Sequence, residues 1–503
     1  MNSYSRLVIA YALAIPLALV LGCLVATPDM TNLALVGFVL FCLALPLVIQ
    51  WHHALLIVFW NSAFMLGFFP GQPRLWLVLA ALSFGVAVVN HVLGLKSFAR
   101  VPELAKPLLF LLGVIMVTAW IRGGIGVRIL GGSSYGGKFY IYATGAIMGY
   151  FALAAQWIPT GKSGRMVKWF FLSGTTSVLS NLFYALGPAF YFLYIFVPTD
   201  FAGSQAVSDY DPNAVDRFNG LAPAATGLLC FILARWGIRR TFQWDKPWRL
   251  LLLGAAVAAG LFSGFRSQIA FLILLFAIQF MVEGLWKTSF LPVMALLGVL
   301  CLAPMLLFAN KMPFAVQRSL SFLPVNIDPN VRAEAAGSSE WRFEMWRVVW
   351  PEVPKYLLLG KGYSLDPTEL YLTEQAARMG LLKGYEISVV SGEYHSGLLS
   401  VLIPFGLLGT AAFLWVLWAG GKALYCNLHY GDARLRQINM ALLSYFLAQI
   451  VQYFFVFGAF HAQLFMFTGV LGLSVSLNGG VCRKEALKAV PMPDSAAIVL
   501  EPA

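Results

Sequence analysis

The sequence predicts an all-α fold, a polytopic transmembrane helix bundle of about 12–14 helices with one large external, partly helical loop. Composition is the first observation, because 60% of the 503 residues are hydrophobic and 11% are charged, whereas a soluble domain carries about 25% charged residues. The second is a series of apolar runs long enough to cross a hydrocarbon core of about 30 Å. The third is a single long polar segment, residues 310–394, between two of these runs. Together they exclude a soluble globular protein.

The apolar runs extend from the N-terminal part of the chain almost to its end. About fourteen meet the length and hydropathy expected of a membrane span. The run after Arg6 is long enough to span, and no clear small-residue cleavage site separates it from the next run, so we interpret it as a retained helix. The runs are residues 7–26, 32–50, 54–70, 75–94, 107–121, 139–157, 167–197, 220–236, 249–264, 266–284, 290–308, 396–418, 437–457 and 460–478.

Two stretches allow more than one arrangement. Residues 32–70 are divided only by the polar triplet WHH, and residues 167–197 are overlong and interrupted by Gly187 and Pro188. Either stretch is a candidate for a kinked or re-entrant element, which a membrane protein tolerates only where protein or water satisfies the freed backbone groups.

Basic residues in the short loops predict the orientation. The loops LKSFARVPELAK, TGKSGRMVK, RWGIRRTFQWDKPWR and KALYCNLHYGDARLR fall on one side when fourteen spans are counted, together with both termini. Lys and Arg mark the cytoplasmic side of short loops, so the long polar segment is external. The predicted divisions are transmembrane helices in 1–308, an external loop domain in 309–394, transmembrane helices in 395–478 and a cytoplasmic tail in 479–503.

Several arginines oppose this charge trend. Arg122 and Arg128 lie in a glycine-rich external loop, Arg217 precedes an apolar run, and Arg266 lies between two apolar runs. A charge at the membrane boundary is costly and by default faces an internal cavity with a partner. Arginine suits phosphate because its planar fork makes two charge-assisted hydrogen bonds and stays protonated. An anionic ligand is therefore one interpretation; snorkelling to the interface, or pairing with an acid such as Asp216, is the other.

The external segment contains one clear helix signal. Ser338 and Ser339 offer an N-cap ahead of EWRFEMWRVVW, and Arg342 and Trp346 are four residues apart on one face of that helix. The pattern predicts an amphipathic helix on the membrane surface that ends at Pro351. Acidic and basic residues nearly balance in the segment, so specificity must come from particular side chains.

A histidine stands at the external end of the next apolar run. His395 has an unperturbed pKa near 6.5, which makes it a candidate general base for a hydroxyl group, with interfacial packing or capping as the alternative. Glu393 is a candidate to orient it. Gly406 and Gly409, further along, would let another helix pack closely. His461, near the outer face, is a further candidate to line the same chamber, although a core or interface position is favoured.

Four blocks together resemble the bacterial O-antigen ligase superfamily, in the family's order and over roughly residues 216–477. The His-Ser pair and its two following glycines resemble the family's histidine block, DRFNGLAPAATG its first arginine block, SGFRSQIA its Ser-Arg-Ser block, and WRFEMWRVVWPEVPKYLLLGKGYS its external helix and Gly-x-Gly turn. The chain departs from the family at Ala222, Pro223 and Ala224, where a Pro-Asn pair is common. The matched positions are Arg217, Gly220, Arg266, Arg342, Trp346, Gly360, Gly362, His395, Ser396, Gly406 and Gly409.

The resemblance implies a membrane glycosyltransferase of the GT-C type in the bacterial inner membrane, with its active site facing the periplasm and both termini in the cytoplasm. The donor would be a glycan on undecaprenyl pyrophosphate, and the acceptor a sugar hydroxyl of lipid A core or of another lipid-linked glycan. His395 would be the catalytic base, and Arg217, Arg266 and Arg342 would bind the pyrophosphate. Transfer would be inverting and without metal or other cofactor. The nearest approach to an Asp-x-Asp metal motif in the external loops is DYDPN, residues 209–213, which we interpret as a turn. Membrane lipids are expected partners, and nucleic acid is not.

Two alternatives stay open. An O-antigen or exopolysaccharide polymerase would use the same chemistry on a different acceptor. A transporter of a lipid-linked or anionic solute would use the same arginines as a binding site without chemistry, although the internal repeats typical of transporters are not evident.

Overall fold

The chain is built from helices. The structure, a computed structural model, describes residues 3–26, 29–95, 101–125, 136–209, 215–381 and 385–484. Within these ranges the regular secondary structure is α-helix with short 3-10 helices, apart from one isolated antiparallel bridge between Met65 and Arg74. The predicted all-α fold is confirmed.

The chain divides into two compact units, Met1–Leu55 and Leu56–Ala503. The first unit contains α1 (Ser3–Ala26) and most of α2 (Met30–Phe59). The helices of the second unit are α3 (Leu75–Val92), α4 (Pro102–Arg122), α5 (Gly137–Ala154), α6 (Thr160–Leu172), α7 (Val178–Leu186), α8 (Gly203–Ser208), α9 (Leu221–Arg235), α10 (Gly237–Thr241), α11 (Trp248–Phe262), α12 (Arg266–Val282), α13 (Phe290–Leu307), α14 (Phe314–Leu320), α15 (Pro329–Val349), α16 (Pro367–Arg378), α17 (Tyr385–Ser391), α18 (Gly397–Tyr430), α19 (Arg436–Phe455) and α20 (Phe460–Asn478).

The helix lengths fit a multi-pass membrane protein. Among the described residues, six helices are long and apolar enough to cross a membrane by length and composition. Five shorter apolar helices accompany them, including α9, α11 and α12. The six are α3, α4, α13, α18, α20 and the segment Ala433–Phe455, which contains α19. The prediction of a polytopic helix bundle is confirmed by helix length and composition.

One predicted division of the chain is wrong. The triplet WHH lies inside the continuous helix α2, which ends at Phe59, and residues 60–74 form turns closed by the Met65–Arg74 bridge. The runs 32–50 and 54–70 are therefore not two spans. Because the prediction of two cytoplasmic termini depended on an even count of fourteen, it no longer follows from the count.

The other ambiguous stretch is interrupted where the sequence suggested. α6 passes into a 3-10 turn at Ser173–Ser177 and then into α7, which ends at Leu186. Gly187 has a φ of +88°, and a 3-10 segment follows at Pro188–Ile195. A glycine that accepts positive φ, followed by a proline without an amide donor, explains the break.

The helix predicted within residues 310–394 begins earlier than expected. α15 starts at Pro329, where the Asp328 side chain accepts a hydrogen bond of 2.8 Å from the Asn330 amide. Ser338 and Ser339 therefore lie inside the helix rather than at its N-cap. The C-terminal end agrees with the prolines in the sequence, because α15 becomes a 3-10 helix at Trp350–Tyr356.

A break in α18 fastens the segment that contains Lys361 and Gly362 to the bundle. Gly406 has φ +64° and ψ −164°, so the helical hydrogen bonds are interrupted there. The amides of Lys361 and Gly362 donate to the carbonyls of Ile403 and Pro404 at 2.7 and 2.9 Å. A Cβ atom at Gly406 would lie 2.4 Å from the Leu358 carbonyl oxygen. Gly406 thus contacts the backbone at Leu357 and Leu358, and not another helix as predicted.

Candidate active site

His395 is held by aromatic side chains from separate parts of the chain. It precedes α18 and has a φ of +49°, an uncommon conformation for a residue other than glycine. Its ring centroid lies 5.1 Å from that of Trp341 in α15 and 5.1 Å from that of Phe457, between α19 and α20. Trp346 fixes the preceding residue, because its indole Nε1 donates to the Tyr394 carbonyl at 2.7 Å. The backbone strain and this aromatic clamp give the imidazole one defined position.

The imidazole of His395 is in its neutral form at pH 7. Burial, followed by repulsion from the Arg342 guanidinium, lowers the pKa of His395 from 6.5 to about 4. Its Nδ1 atom is buried and has no hydrogen-bond partner among the described residues. No carboxylate therefore stabilises the imidazolium through Nδ1. A neutral imidazole is the form that accepts a proton.

The three arginines predicted to bind an anion lie in one electrostatic cluster. Burial, with repulsion from Arg266 and Arg318, lowers the pKa of Arg342. Burial and repulsion from Arg318 likewise lower the pKa of Arg217. Each guanidinium thus lies within the field of another, and Arg342 also acts on His395. The structure thus brings the three predicted arginines and His395 to one region.

The fourth arginine of the cluster was missed by the sequence reasoning. The Arg318 side chain is 5% exposed, and its NH1 donates to the Gly264 carbonyl at 2.5 Å. In the sequence it looked like one of several charges of a nearly neutral loop. Its flanking residues, PFAVQRSLSFL, are largely apolar, and that is the signal that could have indicated a buried arginine.

The cluster contains more positive than negative charge. Glu334 of α15 lies 3.5 Å from the Arg217 guanidinium and contacts Arg318. Arg266 NH2 donates to the Ser339 hydroxyl at 3.2 Å. Four guanidinium groups with one paired carboxylate leave a positive excess among the described residues of the cluster. Buried charges are stable only when paired, so this excess favours an anionic ligand.

Arg217 has unused hydrogen-bonding capacity. Its Nε atom is buried without a partner in the described chain. Its aliphatic stem packs on Gly264, where a Cβ atom would come within 2.5 Å of Arg217 Cγ. Gly264 also has a φ of +72°, so it is required both for the turn and for this contact. Arg217 is therefore positioned by packing rather than by saturation of its donors.

Two further sequence candidates have different roles. Glu393 Oε1 lies 3.9 Å from His461 Nε2, and burial raises the pKa of Glu393. Since His395 Nδ1 has no partner, the predicted orienting contact from Glu393 is not formed at that atom. Arg122 donates through Nε to the Gly360 carbonyl at 2.9 Å and so stabilises the turn at Gly360. Arg128 lies outside the described residues.

A cavity of about 750 Å³ lies beside the arginine cluster but is not lined by it. Its lining includes Glu393 and His461, and neither His395 nor the four arginines of the cluster. In the described part of the chain, no three His, Cys, Asp or Glu side chains form a group that could hold a metal ion.

Comparison with known proteins agrees with the geometry. Residues 250–414, about a third of the chain, match the family model described as O-antigen ligase. The matched segment includes Arg266, Arg318, Arg342 and His395, whereas Arg217 lies outside it. No curated protein matches the chain. Residues 250–414 are therefore similar to the O-antigen ligase family.

Proposed function

We propose that the protein is a metal-independent, inverting membrane glycosyltransferase of the GT-C type that moves a glycan from undecaprenyl pyrophosphate to an acceptor sugar hydroxyl. The observation that carries the proposal is the neutral, unpartnered imidazole of His395 beside a cluster of arginines with excess positive charge. The first group suits proton removal, and the second suits a diphosphate leaving group. The family match supports the same class of reaction.

The reaction is a single displacement at the anomeric carbon of the donor. The acceptor hydroxyl oxygen forms a bond to this carbon while its proton passes to His395. The bond between the anomeric carbon and the pyrophosphate oxygen breaks, and its electron pair leaves with undecaprenyl pyrophosphate. Arg217, Arg266 and Arg342 stabilise the negative charge on that oxygen, and Arg318 adds to their field. One displacement inverts the configuration of the anomeric carbon.

Bound pyrophosphate would also strengthen the base. In the free enzyme, burial and Arg342 disfavour the imidazolium form of His395. A bound dianion beside Arg342 offsets that repulsion, and therefore raises the pKa of His395 in the complex. The base then accepts a proton more readily when the donor is in place than when the site is empty.

The site is proposed to face the periplasm from the bacterial inner membrane. α18 starts beside His395 and ends at Tyr430, close to the basic residues Arg434 and Arg436. α12 likewise starts at Arg266 and ends near Lys287. The basic loops thus follow the helix ends opposite the site, which supports a cytoplasmic position for those loops and for the C-terminal tail. The division of residues 309–394 as an external domain belongs to the same proposal.

A reconstituted transfer assay tests the function. Purified protein, undecaprenyl pyrophosphate-linked glycan and lipid A core are mixed with EDTA, and wild type is compared with His395→Ala. The expected result is glycan transfer to the core by wild type and a loss of at least about 10² in rate for the variant. His429→Ala, at the other end of α18, is the matched control and is expected to retain activity.

The products distinguish the alternatives. Glycan lengthened on its lipid carrier, with the core unmodified, would assign the polymerase reaction with the same base. Donor binding without either product would contradict the transferase and favour a transporter. Activity that EDTA abolishes and Mg²⁺ restores would contradict the metal-independent mechanism.

A further inference from the structure

The large cavity is rich in amide side chains. Its volume of about 750 Å³ lies within the range of about 300–1,000 Å³ typical of small-molecule sites. The Gln452 Oε1 atom is buried and has no partner in the described chain. Gln268 Nε2 donates to the Thr226 hydroxyl at 2.9 Å, which leaves its carbonyl oxygen for another donor. The amides in the lining are Asn61, Gln268, Gln449, Gln452 and Gln463.

The charges in the cavity are balanced, unlike those of the arginine cluster. Arg74 lies 3.1 Å from Asp200, and Glu393 lies 3.9 Å from His461. Lys138 is the second cation in the lining. Two cations and two carboxylates leave no excess charge for a pyrophosphate. Amides donate and accept hydrogen bonds without charge, as sugar hydroxyls require.

Aromatic rings provide an apolar wall. Trp76 and Phe465 lie in the lining, with ring centroids 5.1 Å apart and planes 14° from parallel. Tyr142 lines the cavity beside Trp76, at a centroid distance of 5.8 Å. A pyranose ring has an apolar C–H face and a rim of hydroxyls, so it needs such a wall next to hydrogen-bonding groups.

Two chain segments connect the cavity to the arginine cluster. Glu393 lines the cavity, and His395 two residues later is clamped by Trp341. Gln268 lines the cavity, and Arg266 two residues earlier donates to Ser339 of α15. A ligand in the cavity therefore lies next to the segments that carry the proposed base and one phosphate-binding arginine.

We propose that this cavity binds an uncharged sugar unit of a glycan substrate, separately from the pyrophosphate. The inference rests on the proposed function. The sugar belongs to either the lipid-linked donor or the acceptor, and both present the same hydroxyl-rich chemistry. The experiment distinguishes the two sources.

Two variants test the cavity by different means. Gln452→Leu removes an acceptor that has no protein partner, so it breaks no internal hydrogen bond among the described residues. Ala462→Phe fills part of the cavity from an exposed position. Gln375→Leu in α16 is the matched control for the first variant. Binding of two probes is measured, the lipid-free glycan and undecaprenyl pyrophosphate without sugar.

Gln452→Leu is expected to weaken binding of the lipid-free glycan by about two- to tenfold, the loss typical of one hydrogen bond. Ala462→Phe is expected to weaken it at least as much, because its ring occupies space that the sugar needs. Binding of sugar-free undecaprenyl pyrophosphate is expected to remain at the wild-type value. Arg266→Gln should show the opposite pattern. In the transfer assay, a raised KM for the donor assigns the cavity to the donor glycan, and a raised KM for the acceptor assigns it to the acceptor.

The inference and the proposed function fail in different ways. If transfer proceeds and both cavity variants keep wild-type glycan binding and both KM values, the cavity inference is wrong and the function stands. If the cavity variants weaken glycan binding but the protein forms no glycosidic bond, the cavity inference holds for a binding protein and the transferase is wrong.

Discussion

The arginine cluster and the amide-lined cavity lie on neighbouring chain segments but differ in charge. The cluster has an excess of positive charge, whereas the charges in the cavity are balanced. In the cluster, Arg217 and Arg318 contact Glu334, and Arg266 and Arg342 lie within the field of the other arginines. The cavity has as many carboxylates as cations, with Arg74 paired to Asp200, and it relies on amides. An excess of buried positive charge is stable only when an anion is present. A polar cavity with balanced charges needs no anion. The difference teaches that one substrate with two chemical parts can be recognised in two adjacent places.

The largest expected effect is at the arginine cluster. Arg266→Gln removes positive charge from the leaving group, and we expect kcat to fall by about 10²–10³, the usual loss for one group that stabilises developing charge. Arg266→Lys should recover part of that loss, because it restores the charge without the planar fork. Single-turnover kinetics measures the effect, with Arg378→Gln on exposed α16 as control. An Arg266→Gln rate equal to wild type would remove Arg266 from the site.

The next largest effect is expected at the turn that contains Gly360. Breaking this turn should disturb the arginine cluster but not the cavity. Gly360 has a φ of +74°, and a Cβ atom there would lie 2.1 Å from the Pro404 carbonyl oxygen. Gly360→Ala is therefore expected to detach the turn from the break in α18 and to lower kcat about tenfold or more, because the same chain segment also carries Trp341 and Arg342. Glycan binding in the cavity should persist.

Gly337→Ala in α15 is the matched control. A Cβ atom there meets no atom within 4 Å, and replacing a helical glycine by alanine stabilises by about 0.5–1 kcal/mol. Thermal unfolding and the transfer assay are measured for both variants. Equal behaviour of the two alanines would show that the contact between the turn and α18 does not matter.

The pH dependence of the rate tests the state of His395. Its pKa is lowered to about 4, so the base stays neutral between pH 8 and 6, and kcat/KM should change little in this range. An unperturbed histidine would lose about fourfold at pH 6. The acid limb of kcat should lie at a higher pH than that of kcat/KM, because bound pyrophosphate raises the pKa of His395 in the complex. Arg342→Gln should move the acid limb of kcat/KM only part of the way back to the ordinary pKa of histidine. Burial, rather than Arg342, is the larger cause of the lowered pKa.

The same group gives a stability prediction with a definite sign. Between its unfolded pKa of about 6.5 and its folded pKa of about 4, the unfolded state binds the extra proton. The contribution of His395 to stability is therefore fully present above pH 6.5 and declines as the pH falls through this window. His395→Ala should flatten that part of the curve of melting temperature against pH. An unchanged slope would contradict the lowered pKa.

The smallest expected effect concerns the carboxylate of the cluster. Glu334 is 29% exposed, and it pairs with the buried Arg318. Glu334→Gln removes the charge and leaves the arginines to repel each other, so we expect a loss of stability of about 1–2 kcal/mol after allowance for solvent screening. Saturating undecaprenyl pyrophosphate should restore more stability to this variant than to wild type. Equal stabilisation of both would argue against an anion site.

Much of the site could be predicted because each block carries its own signal. Arg217 and Arg266 stood out as charges next to apolar runs, and Arg342 and His395 through the spacing of their blocks. The structure brings these four together. Arg318 was not singled out, because burial of one loop arginine depends on the packing of α14 against other elements. Glu393 was only a candidate to orient His395, because a two-residue separation at a helix start leaves side-chain direction open; in the structure its carboxylate lies near His461.

The sequence by itself determined that this is an all-α membrane protein, and it predicted an external segment and a set of arginines that would bind an anion. Hydropathy and charge act locally, through the cost of placing each residue in lipid, so they can be summed along the chain. The tertiary structure alone decided that Gly360 and Gly362 close on the break at Gly406, that Arg318 joins the cluster, and that a neutral polar cavity adjoins it. These features depend on contacts between residues far apart in the chain, and no local pattern encodes such contacts.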